Sequence, residues 1–523
     1  MATITAGMLI CNVASLFSGV WGAVSKRARD ANCSRQAIYQ QKDRVVQAVA
    51  EAQQGGPSRA ELRTENQRLR DENRQLWEWL AVTTEFPSSQ QQRFAAEASA
   101  MGLSLPQVVA LLTIVLGKSR PSRATVGRWV GAAAEKAGQL LTVLDRSCRM
   151  LVTTLCLDEI FLRRQPVLMG VEPHSMTWIM GQRAKDRKGT TWNEALAPWT
   201  EFNYAVVDAG TGLCKGLDLT VQQRRVAGSA VPLETHLDNF HIQQPGRQEL
   251  RAQWQQAEQV WQQAEQADRV LAEKKRQGQN RANAAFRSCK AWRRATEALA
   301  TAERREAAYQ RVVAALEMFR PDGTLNSRIA ARAELEAALQ ELPGPRWAKL
   351  RRLALDPRAL TFLDRLHREL EAAEPRAELR EALVNLWRER HPRRSGPMRQ
   401  DTGRNPMLVT LQALICHKLD PHWQVSYRRV ATVLRRTVRA SSVVECMNSV
   451  VRMHQARHRG LSQRLLDLKR LYWNCRTFAE GKRKRHCPYQ HLRLNLPTYD
   501  WWELLQMSPA ELEQQLSSTK VAV

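Results

Sequence analysis

Apolar residues recur at helical spacing along most of the 523-residue chain, but residues 151–241 follow a different pattern. There, short runs rich in β-branched residues predict three successive strands, LVTTLCLDEIFL, QPVLMGVEP and MTWIMGQR. Residues 190–199 then predict a short helix, 202–210 a fourth strand, 210–220 a second helix and 229–241 a fifth strand. This order of elements predicts a small mixed α/β domain.

Two pairs of helices precede this domain. Residues 25–50 predict one helix, a polar turn at Asn32 to Ser34, and a second helix that Ser34 caps. Residues 92–137 repeat the design, with a break at Gly102 and a cap at Ser122. Such pairs also occur in ordinary helical domains, but two of them in a basic segment favour helix-turn-helix DNA binding. The residues expected to contact DNA lie near the starts of the second helices: Arg35, Gln36, Tyr39, Arg123 and Arg128.

A heptad pattern lies between the two pairs. Leu62, Leu69 and Leu76 are seven residues apart, and the intervening core positions hold Asn66, Asn73 and Leu80. Leucine at one core position with asparagine at the other favours a parallel two-stranded coiled coil, because the buried amides pair only in register. The segment is therefore expected to form a homodimer, and a solvated linker helix is the alternative.

A long helical tract follows the fifth predicted strand. Residues 247–320 contain no proline and one glycine, Gly278, and further helices are expected up to about residue 390, before a loop at 391–406. The chain thus divides into seven segments: 1–55, a helix-turn-helix unit; 58–82, a short coiled coil; 90–145, a second helical unit; 150–241, the first part of the sheet domain; 242–427, an all-helical insertion; 428–485, the last part of the sheet domain with basic helices; and 486–523, a C-terminal tail.

The charge narrows the range of partners. The formal net charge is +27, yet 43% of the residues are hydrophobic, which excludes a disordered polycation and favours a globular protein that binds nucleic acid. Residues 151–241 carry 9 basic and 10 acidic groups, whereas residues 428–485 carry 16 basic and 3 acidic ones. The sheet domain therefore holds acidic residues that the basic bias does not explain.

The apolar runs and the cysteines indicate where in the cell the protein is expected. No apolar run reaches the ~18 residues that cross a bilayer, so no membrane partner is expected. The ten cysteines include no C-x-x-C pair, which indicates a reducing, cytoplasmic location. Residues 1–25 lack the basic start of a secretory signal, and Asn12, Ser15 and Ser18 interrupt their apolar run, so a packed helix is expected there.

Two aspartates are candidates for metal chemistry. Asp158 is expected to close the first strand and Asp208 the fourth. Carboxylates brought together from neighbouring strands repel each other unless a cation lies between them, and oxygen ligands of this kind select Mg²⁺ or Mn²⁺. Two such ions support phosphodiester chemistry. The alternative for Asp208 is that it only caps the next turn. Side chains alternate along a strand, so only one of Asp158 and Glu159 can face such a site.

A third carboxylate is expected from the basic segment. Ser441 or Ser442 can cap a helix on which Glu445, Asn448 and Arg452 share one face. These side chains can bind a metal, orient it and hold a phosphate, and a solvent-facing polar stripe is the alternative. Basic residues expected to track DNA surround this helix: Arg457, Arg459, Lys482, Arg483, Lys484 and Arg485.

These motifs resemble those of DDE transposases of bacterial insertion sequences, whose catalytic domain is RNase H-like. Asp158 in LCLDEIF, Asp208 in VVDAGTGL and Glu445 in SSVVECMNSVVR look like the three catalytic carboxylates, and this motif selects Asp158 over Glu159. The helical insertion is similar to that of the Mutator-like and hAT-like branches. Those branches often carry a C/D-x-x-H motif, which Asp238 to His241 matches as an auxiliary pair.

The resemblance implies a reaction and its partners. A transposase of this family uses two Mg²⁺ (or Mn²⁺) ions to free 3′ ends at terminal inverted repeats and to join them to target DNA. It acts as a homodimer or higher oligomer on double-stranded DNA, in the bacterial cytoplasm with the nucleoid. Two alternatives stay open: an RNase H-like nuclease that cuts without joining, and a non-catalytic DNA-binding protein derived from a transposase.

Overall fold

A computed structural model of the chain describes residues 6–17, 20, 22–52, 59–83, 86–117, 120–229, 231–391, 405–457 and 461–519. Two compact units, Met1–Pro87 and Ser88–Val523, divide the chain. The second unit is mixed α/β and contains the one sheet found among the described residues. No helix in the described ranges is long and apolar enough to cross a membrane.

Three helices pack together in the first unit: α1 (Ala6–Phe17), α2 (Ala23–Asp30) and α3 (Arg35–Ala52). The expected turn between α2 and α3 is present, with Asn32 in the left-handed region and Ser34 Oγ accepting a hydrogen bond from the Ala37 amide at 3.1 Å. Asn12 is buried, and its amide joins α1 to both other helices through Gln41 and Arg27. The polar residue that interrupts the first apolar run is thus part of the packing.

The heptad segment forms one helix, α4 (Arg59–Thr83). Leu69 on this helix is 46% exposed within the single chain, and Asn66 and Asn73 are also exposed. Leu62 is half-buried, so three of the four core positions whose side chains are described face outward.

The second unit begins with α5 (Ser88–Met101), α6 (Leu105–Leu116) and α7 (Arg123–Cys148). Gly102 ends α5 with a φ of 115°, a conformation that favours glycine, and Ser122 caps α7 by accepting from the Thr125 amide at 3.1 Å. Both sequence signals for helix ends are confirmed. Helices from the last part of the chain pack against the buried face of α7.

Five strands form the sheet in the order β3-β2-β1-β4-β5: β1 (Thr154–Leu162), β2 (Gln165–Glu172), β3 (Thr177–Arg183), β4 (Tyr204–Val207) and β5 (Glu234–Leu237). The first three strands are antiparallel neighbours, whereas β4 and β5 run parallel to β1. Two helices connect the later strands, α8 (Gly189–Leu196) and α9 (Thr211–Val226). The predicted order of elements is therefore confirmed.

Two details of the strand prediction are wrong. The fifth strand ends at Leu237 instead of continuing to residue 241, because Asp238 accepts a hydrogen bond from the Phe240 amide and starts a helix. Asp158 does not close β1 but is its fifth residue of nine. Parallel pairing with β4 stops at Leu157, and the rest of β1 continues only as a hairpin with β2.

Glycines let α8 and α9 approach closely. A Cβ on Gly212 would lie 1.8 Å from the Arg187 carbonyl oxygen, and one on Gly216 would lie 2.4 Å from the Trp192 Cβ. Both glycines belong to the TGLCKGL stretch that follows Asp208. The small residues after Asp208 are therefore required by helix packing.

A helical insertion follows β5, and its two longest helices form a hairpin turned at Gly278. Trp261 and Trp292 pack edge to face across this hairpin at 4.9 Å between ring centroids, and the Trp292 indole donates to Asp268 at 2.7 Å. The helices of the insertion are α10 (Asn239–Arg276), α11 (Ala282–Ala315), α12 (Arg328–Gln340), α13 (Ala348–Ala354), α14 (Thr361–Ala373), α15 (Ala377–Arg390), α16 (Pro406–Leu419) and α17 (Trp423–Arg436). Residues 392–404 of the predicted loop lie outside the described residues.

The chain then returns to the sheet. Helix α18 (Ser442–Arg457) packs on β1 and β2, and α19 (Gln463–Cys475) packs on β3 and α7. Three further helices end the described chain: α20 (Pro488–Leu492), α21 (Trp501–Gln506) and α22 (Pro509–Thr519). Helices α21 and α22 also pack on α7, so the C-terminal segment closes back on the start of the unit.

One buried lysine makes the stability of this packing depend on pH. Lys469 on α19 donates to the Ala100 carbonyl at 3.0 Å and contacts the His454 imidazole. Burial, reinforced by Arg476, lowers the pKa of Lys469 to about 7. An unfolded lysine keeps a pKa near 10.4. Between these two values the unfolded chain binds more protons than the folded one, so this lysine makes stability rise with pH.

We therefore expect Lys469→Met to remove that dependence. The free energy of unfolding in urea should be compared for the wild type and the variant at pH 7, 8 and 9. The wild type should gain roughly 1 kcal/mol per pH unit relative to the variant, because one proton is at stake. Parallel pH profiles would show that Lys469 is charged in the folded protein at pH 8.

Candidate active site

The parallel pairing of β1 with β4 brings two aspartates together. Leu157 pairs with Val207 as the last step of this ladder; Asp158 is the next residue of β1, and Asp208 directly follows β4. Neighbouring strands lie about 4.8 Å apart, so the two carboxylates start from adjacent backbone positions. Asp158 is only 9% exposed, whereas Asp208 is partly exposed.

Asp208 also organises the turn after β4. Its Oδ1 accepts a hydrogen bond from the Gly210 amide at 3.0 Å, which is the turn-capping role considered as the alternative for this residue. Within the described part of the chain, no hydrogen bond is made to Oδ2. One carboxylate oxygen thus shapes the turn while the other stays available.

Helix α18 is held over the sheet by the segment before it. The Tyr204 hydroxyl donates to the Val438 carbonyl at 3.2 Å, and the Asp238 carboxylate accepts from both the amide, at 2.9 Å, and the hydroxyl of Ser441. Ser441 precedes the first residue of α18, but its hydroxyl bonds to Asp238 instead of capping the helix. The end of β5 is thereby tied to the start of the helix that carries Glu445.

The side chains on the predicted polar face of α18 differ in their exposure to solvent. Asn448 is fully buried and donates to Asp158 Oδ2 at 2.6 Å. Glu445, one turn earlier, keeps 39% of its side chain exposed, and Arg452, one turn later, is exposed. Asn448 thus fixes the orientation of Asp158 directly, and Arg452 faces solvent.

The charges of Asp208 and Glu445 affect the pKa of Asp158. The pKa of Asp158 is raised to about 7, first by burial, then by the negative charge of Asp208, with a further contribution from Glu445. Hydrogen bonds from the Glu159 amide and from Asn448 act in the opposite direction. Asp158 is therefore close to half-protonated at neutral pH, and a cation placed among these carboxylates would favour its ionised form.

The neighbouring acid faces the other side of the sheet. Glu159 forms an ion pair with Arg187 at 3.2 Å, away from the α18 side on which Asp158 meets Asn448. Burial raises the pKa of Glu159 and Asp208 adds to the effect, while Arg187 opposes it. Strand alternation thus separates the two acids, and Asp158 is the one directed towards Glu445.

Asp238 and His241 occupy different environments. Asp238 is 1% exposed, and both of its oxygens accept hydrogen bonds, from Phe240 and Ser441. His241 Nε2 lies 3.7 Å from Glu445 Oε1 and 3.8 Å from Asp238 Oδ2. Asp238 is therefore a structural tie, whereas His241 is next to the third carboxylate.

Carboxylates from the middle of β1, the end of β4 and the first turn of α18 are thus brought to one region of the sheet, although 287 positions separate Asp158 from Glu445 in the sequence. No family model matches this sequence, and a comparison with curated proteins finds no match either.

The donor set suits a hard cation, although it is not arranged as a finished metal site. Within the described ranges, no group of three or more His, Cys, Asp or Glu side chains is spaced to hold a metal ion. Nevertheless, Asp158, Asp208 and Glu445 offer only carboxylate oxygens, which Mg²⁺ and Mn²⁺ prefer. Their mutual repulsion, which adds to burial in raising the pKa of Asp158, is the interaction that a cation would relieve.

The predicted DNA-contacting residues lie on several surfaces. Arg35, Gln36 and Tyr39 are exposed on α3, and Arg123 and Arg128 are exposed on α7. Arg457 is the last residue of α18, and Arg459 falls outside the described residues.

The residues of the basic run after α19 differ in their exposure and in their contacts. Lys482, Lys484 and Arg485 are exposed. Arg483 is half-buried, and its guanidinium donates to the carbonyl oxygens of Pro173 and His174 at 3.0 and 2.9 Å. It therefore supports the β2–β3 turn, a role that its position within a basic run did not reveal.

Two contacts of the region were not predicted. Arg187 forms an ion pair with Glu159, and Ser441 connects Asp238 to α18. The charged stretch KDRK at residues 185–188, directly before α8, was a signal for Arg187. No local pattern indicated the Ser441 contact, because its partner is 203 residues away in the chain.

Proposed function

We propose that this protein is a metal-dependent DNA transposase with an RNase H-like catalytic domain. The observation that carries the proposal is that Asp158 lies beside Asp208 where the β1–β4 ladder ends, and is hydrogen-bonded by Asn448 to the helix that also carries Glu445. The sheet order 3-2-1-4-5, with a hairpin-linked first half and two parallel crossover strands, supports the RNase H-like assignment. The net charge of +27 and the exposed arginines of α3 and α7 support double-stranded DNA as the partner.

Each residue of the candidate site has its own role in this proposal. Asp158, Asp208 and Glu445 would hold two Mg²⁺ or Mn²⁺ ions, which activate an attacking oxygen and stabilise the leaving one. Asn448 keeps Asp158 in position through its hydrogen bond, and Asp238 with Ser441 fixes the start of α18. Water and then a 3′-hydroxyl are the nucleophiles, so no residue of the chain forms a covalent bond to DNA.

The first unit contains a helix through which two copies of the protein could pair. Helix α4 presents Leu69 outward, and pairing with a second copy would bury it. A homodimer, or a higher oligomer on paired DNA ends, would place two catalytic domains on one DNA complex. A transposase of a bacterial insertion sequence would work in the cytoplasm, with the nucleoid.

The test is a joining assay with Mg²⁺. Labelled DNA from each flank of the protein's own gene is incubated with the protein and a target plasmid. A transposase frees 3′ ends and yields labelled plasmid, and EDTA abolishes both products. Cleaved ends without labelled plasmid would identify a nuclease instead, and specific binding without cleavage would identify a non-catalytic DNA-binding protein.

A further inference from the structure

A basic cavity lies away from the carboxylates. It has a volume of about 610 Å³ and opens between α14, α17 and the start of β1. Thr154 lines it at the beginning of β1, four residues before Asp158. At about 3.3 Å per residue, the cavity is roughly 13 Å from Asp158 along the strand.

Positive charge dominates the wall of this cavity. Four arginines and one carboxylate, Glu369, line it. Glu369 is already paired with Arg365, whose Nε lies 2.7 Å from the carboxylate. Within the described residues, no ion pair joins any of the other three arginines to an acid: Arg428, Arg429 and Arg436. The cavity therefore carries positive charge that the chain does not neutralise.

The arrangement on α17 is regular. Arg428, Thr432 and Arg436 line the cavity at steps of four residues, so they form one row along the helix. The row is about 12 Å long at 1.5 Å per residue. Arg428 and Arg436 are exposed, and neither donates a side-chain hydrogen bond within the described chain. Two free guanidinium groups on either side of a hydroxyl form a surface that suits several anionic oxygens.

The neighbouring histidine is affected by this charge. His174, in the β2–β3 turn, also lines the cavity. Its pKa is lowered, mainly by burial; Glu172 and Glu369 oppose this shift, whereas Arg436 and Arg483 add to it. Arg436 of α17 therefore acts on a residue of the opposite cavity wall.

We propose that this cavity binds phosphate groups of a DNA strand through Arg428 and Arg436, at a distance from the carboxylate site. DNA as the polymer rests on the proposed function, whereas phosphate as the ligand rests on the cavity. A strand held there would be anchored next to the sheet while another part of the same DNA reaches Asp158. Free phosphate esters share this chemistry and form the second arm of the test.

The test measures DNA affinity in EDTA, so no cleavage takes part. Association constants for a labelled duplex are measured from 50 to 200 mM salt for the full-length wild type and for Arg428→Gln with Arg436→Gln. Loss of two phosphate contacts should flatten the log-log salt dependence by about 1.8, or about 0.9 per contact. Arg428→Lys with Arg436→Lys should keep most of the slope, because the charge remains.

Arg435 provides a matched control. It is the exposed neighbour of Arg436 on the same helix but does not line the cavity, so Arg435→Gln should leave the slope unchanged. An equal slope for the double glutamine variant and Arg435→Gln would overturn the proposal. A second outcome would also overturn it: the DNA slope is unchanged, and tripolyphosphate raises the melting temperature of the wild type but not that of the double variant. That outcome would identify a small phosphate ester as the occupant. A protein that passes this test but neither cuts nor joins DNA would refute the proposed function alone.

Discussion

Asp158→Asn is expected to abolish Mg²⁺-dependent end cleavage and joining. The amide keeps the shape of the side chain, and its one oxygen can still accept from Asn448, at the expense of the bond from the Glu159 amide. It also removes a negative charge from the cluster with Asp208 and Glu445. Changing a group that only orients a metal ligand typically costs 10–100-fold, so losing a ligand should cost at least about 100-fold. Asp208→Asn and Glu445→Gln should fail similarly, and joined product is the measurement.

Glu159→Gln is the matched control for that loss. Glu159 is adjacent to Asp158 on β1 but pairs with Arg187 on the opposite face. Its variant should therefore keep activity close to that of the wild type. If Glu159→Gln were inactive and Asp158→Asn active, the roles of the two acids would be exchanged.

Loss of activity in Asp158→Asn should not come from misfolding. The pKa of Asp158 is about 7 in the folded protein, against about 3.9 in an unfolded chain. A carboxyl group whose pKa is raised by folding gives up stability as the pH rises from the lower value through the higher one. The asparagine variant escapes that loss, so its melting temperature at pH 7.5 without metal should equal or exceed that of the wild type.

Arg470→Met is expected to cause a large loss of stability. Arg470 on α19 is buried, pairs with Asp145 on α7 at 2.7 Å, and donates to the Ile179 carbonyl on β3. Removing one partner of a buried pair typically costs 3–5 kcal/mol, because the other charge is left uncompensated. Asp145 keeps 23% of its side chain exposed, so we expect about 3 kcal/mol, the lower end of that range. Urea unfolding at pH 7.5 measures the change.

The same two helices carry the control pair. Arg464 on α19 and Glu135 on α7 lie 3.4 Å apart, with 66% and 55% of their side chains exposed. Exposed pairs contribute about 0–1 kcal/mol, so Arg464→Met should change little. Adding Asp145→Leu to Arg470→Met should recover part of the loss, because no buried charge remains. Equal effects of Arg470→Met and Arg464→Met would show that the buried pair does not hold α19 on α7.

Several local features were predictable because they depend on neighbours in the sequence. Apolar runs rich in β-branched residues predicted β1 to β3, and the caps Ser34 and Ser122 predicted the starts of α3 and α7. The fifth strand was predicted too long because the polar residues after Leu237 belong to a helix start, which Asp238 caps. Short apolar runs next to a cap do not distinguish strand from helix.

The contacts of the site were harder to predict, because they join distant segments. Asn448 was expected to share a polar stripe with Glu445, yet it is buried against Asp158. Arg483 belongs to a basic run by sequence but supports a turn in the structure. In each case the decisive partner lies hundreds of residues away, and sequence spacing carries no information about it.

The sequence by itself determined the elements of this protein: the helix and strand patterns, the concentration of basic charge around Glu445, and the three acids that recur in a known motif. Only the tertiary structure decided which side each of them faces. Strand register directs Asp158 towards α18 and Glu159 towards Arg187, and the tie between Asp238 and Ser441 sets the start of α18. The physical reason is that local propensities act within a few residues, whereas the facing of a side chain depends on which distant element packs against it.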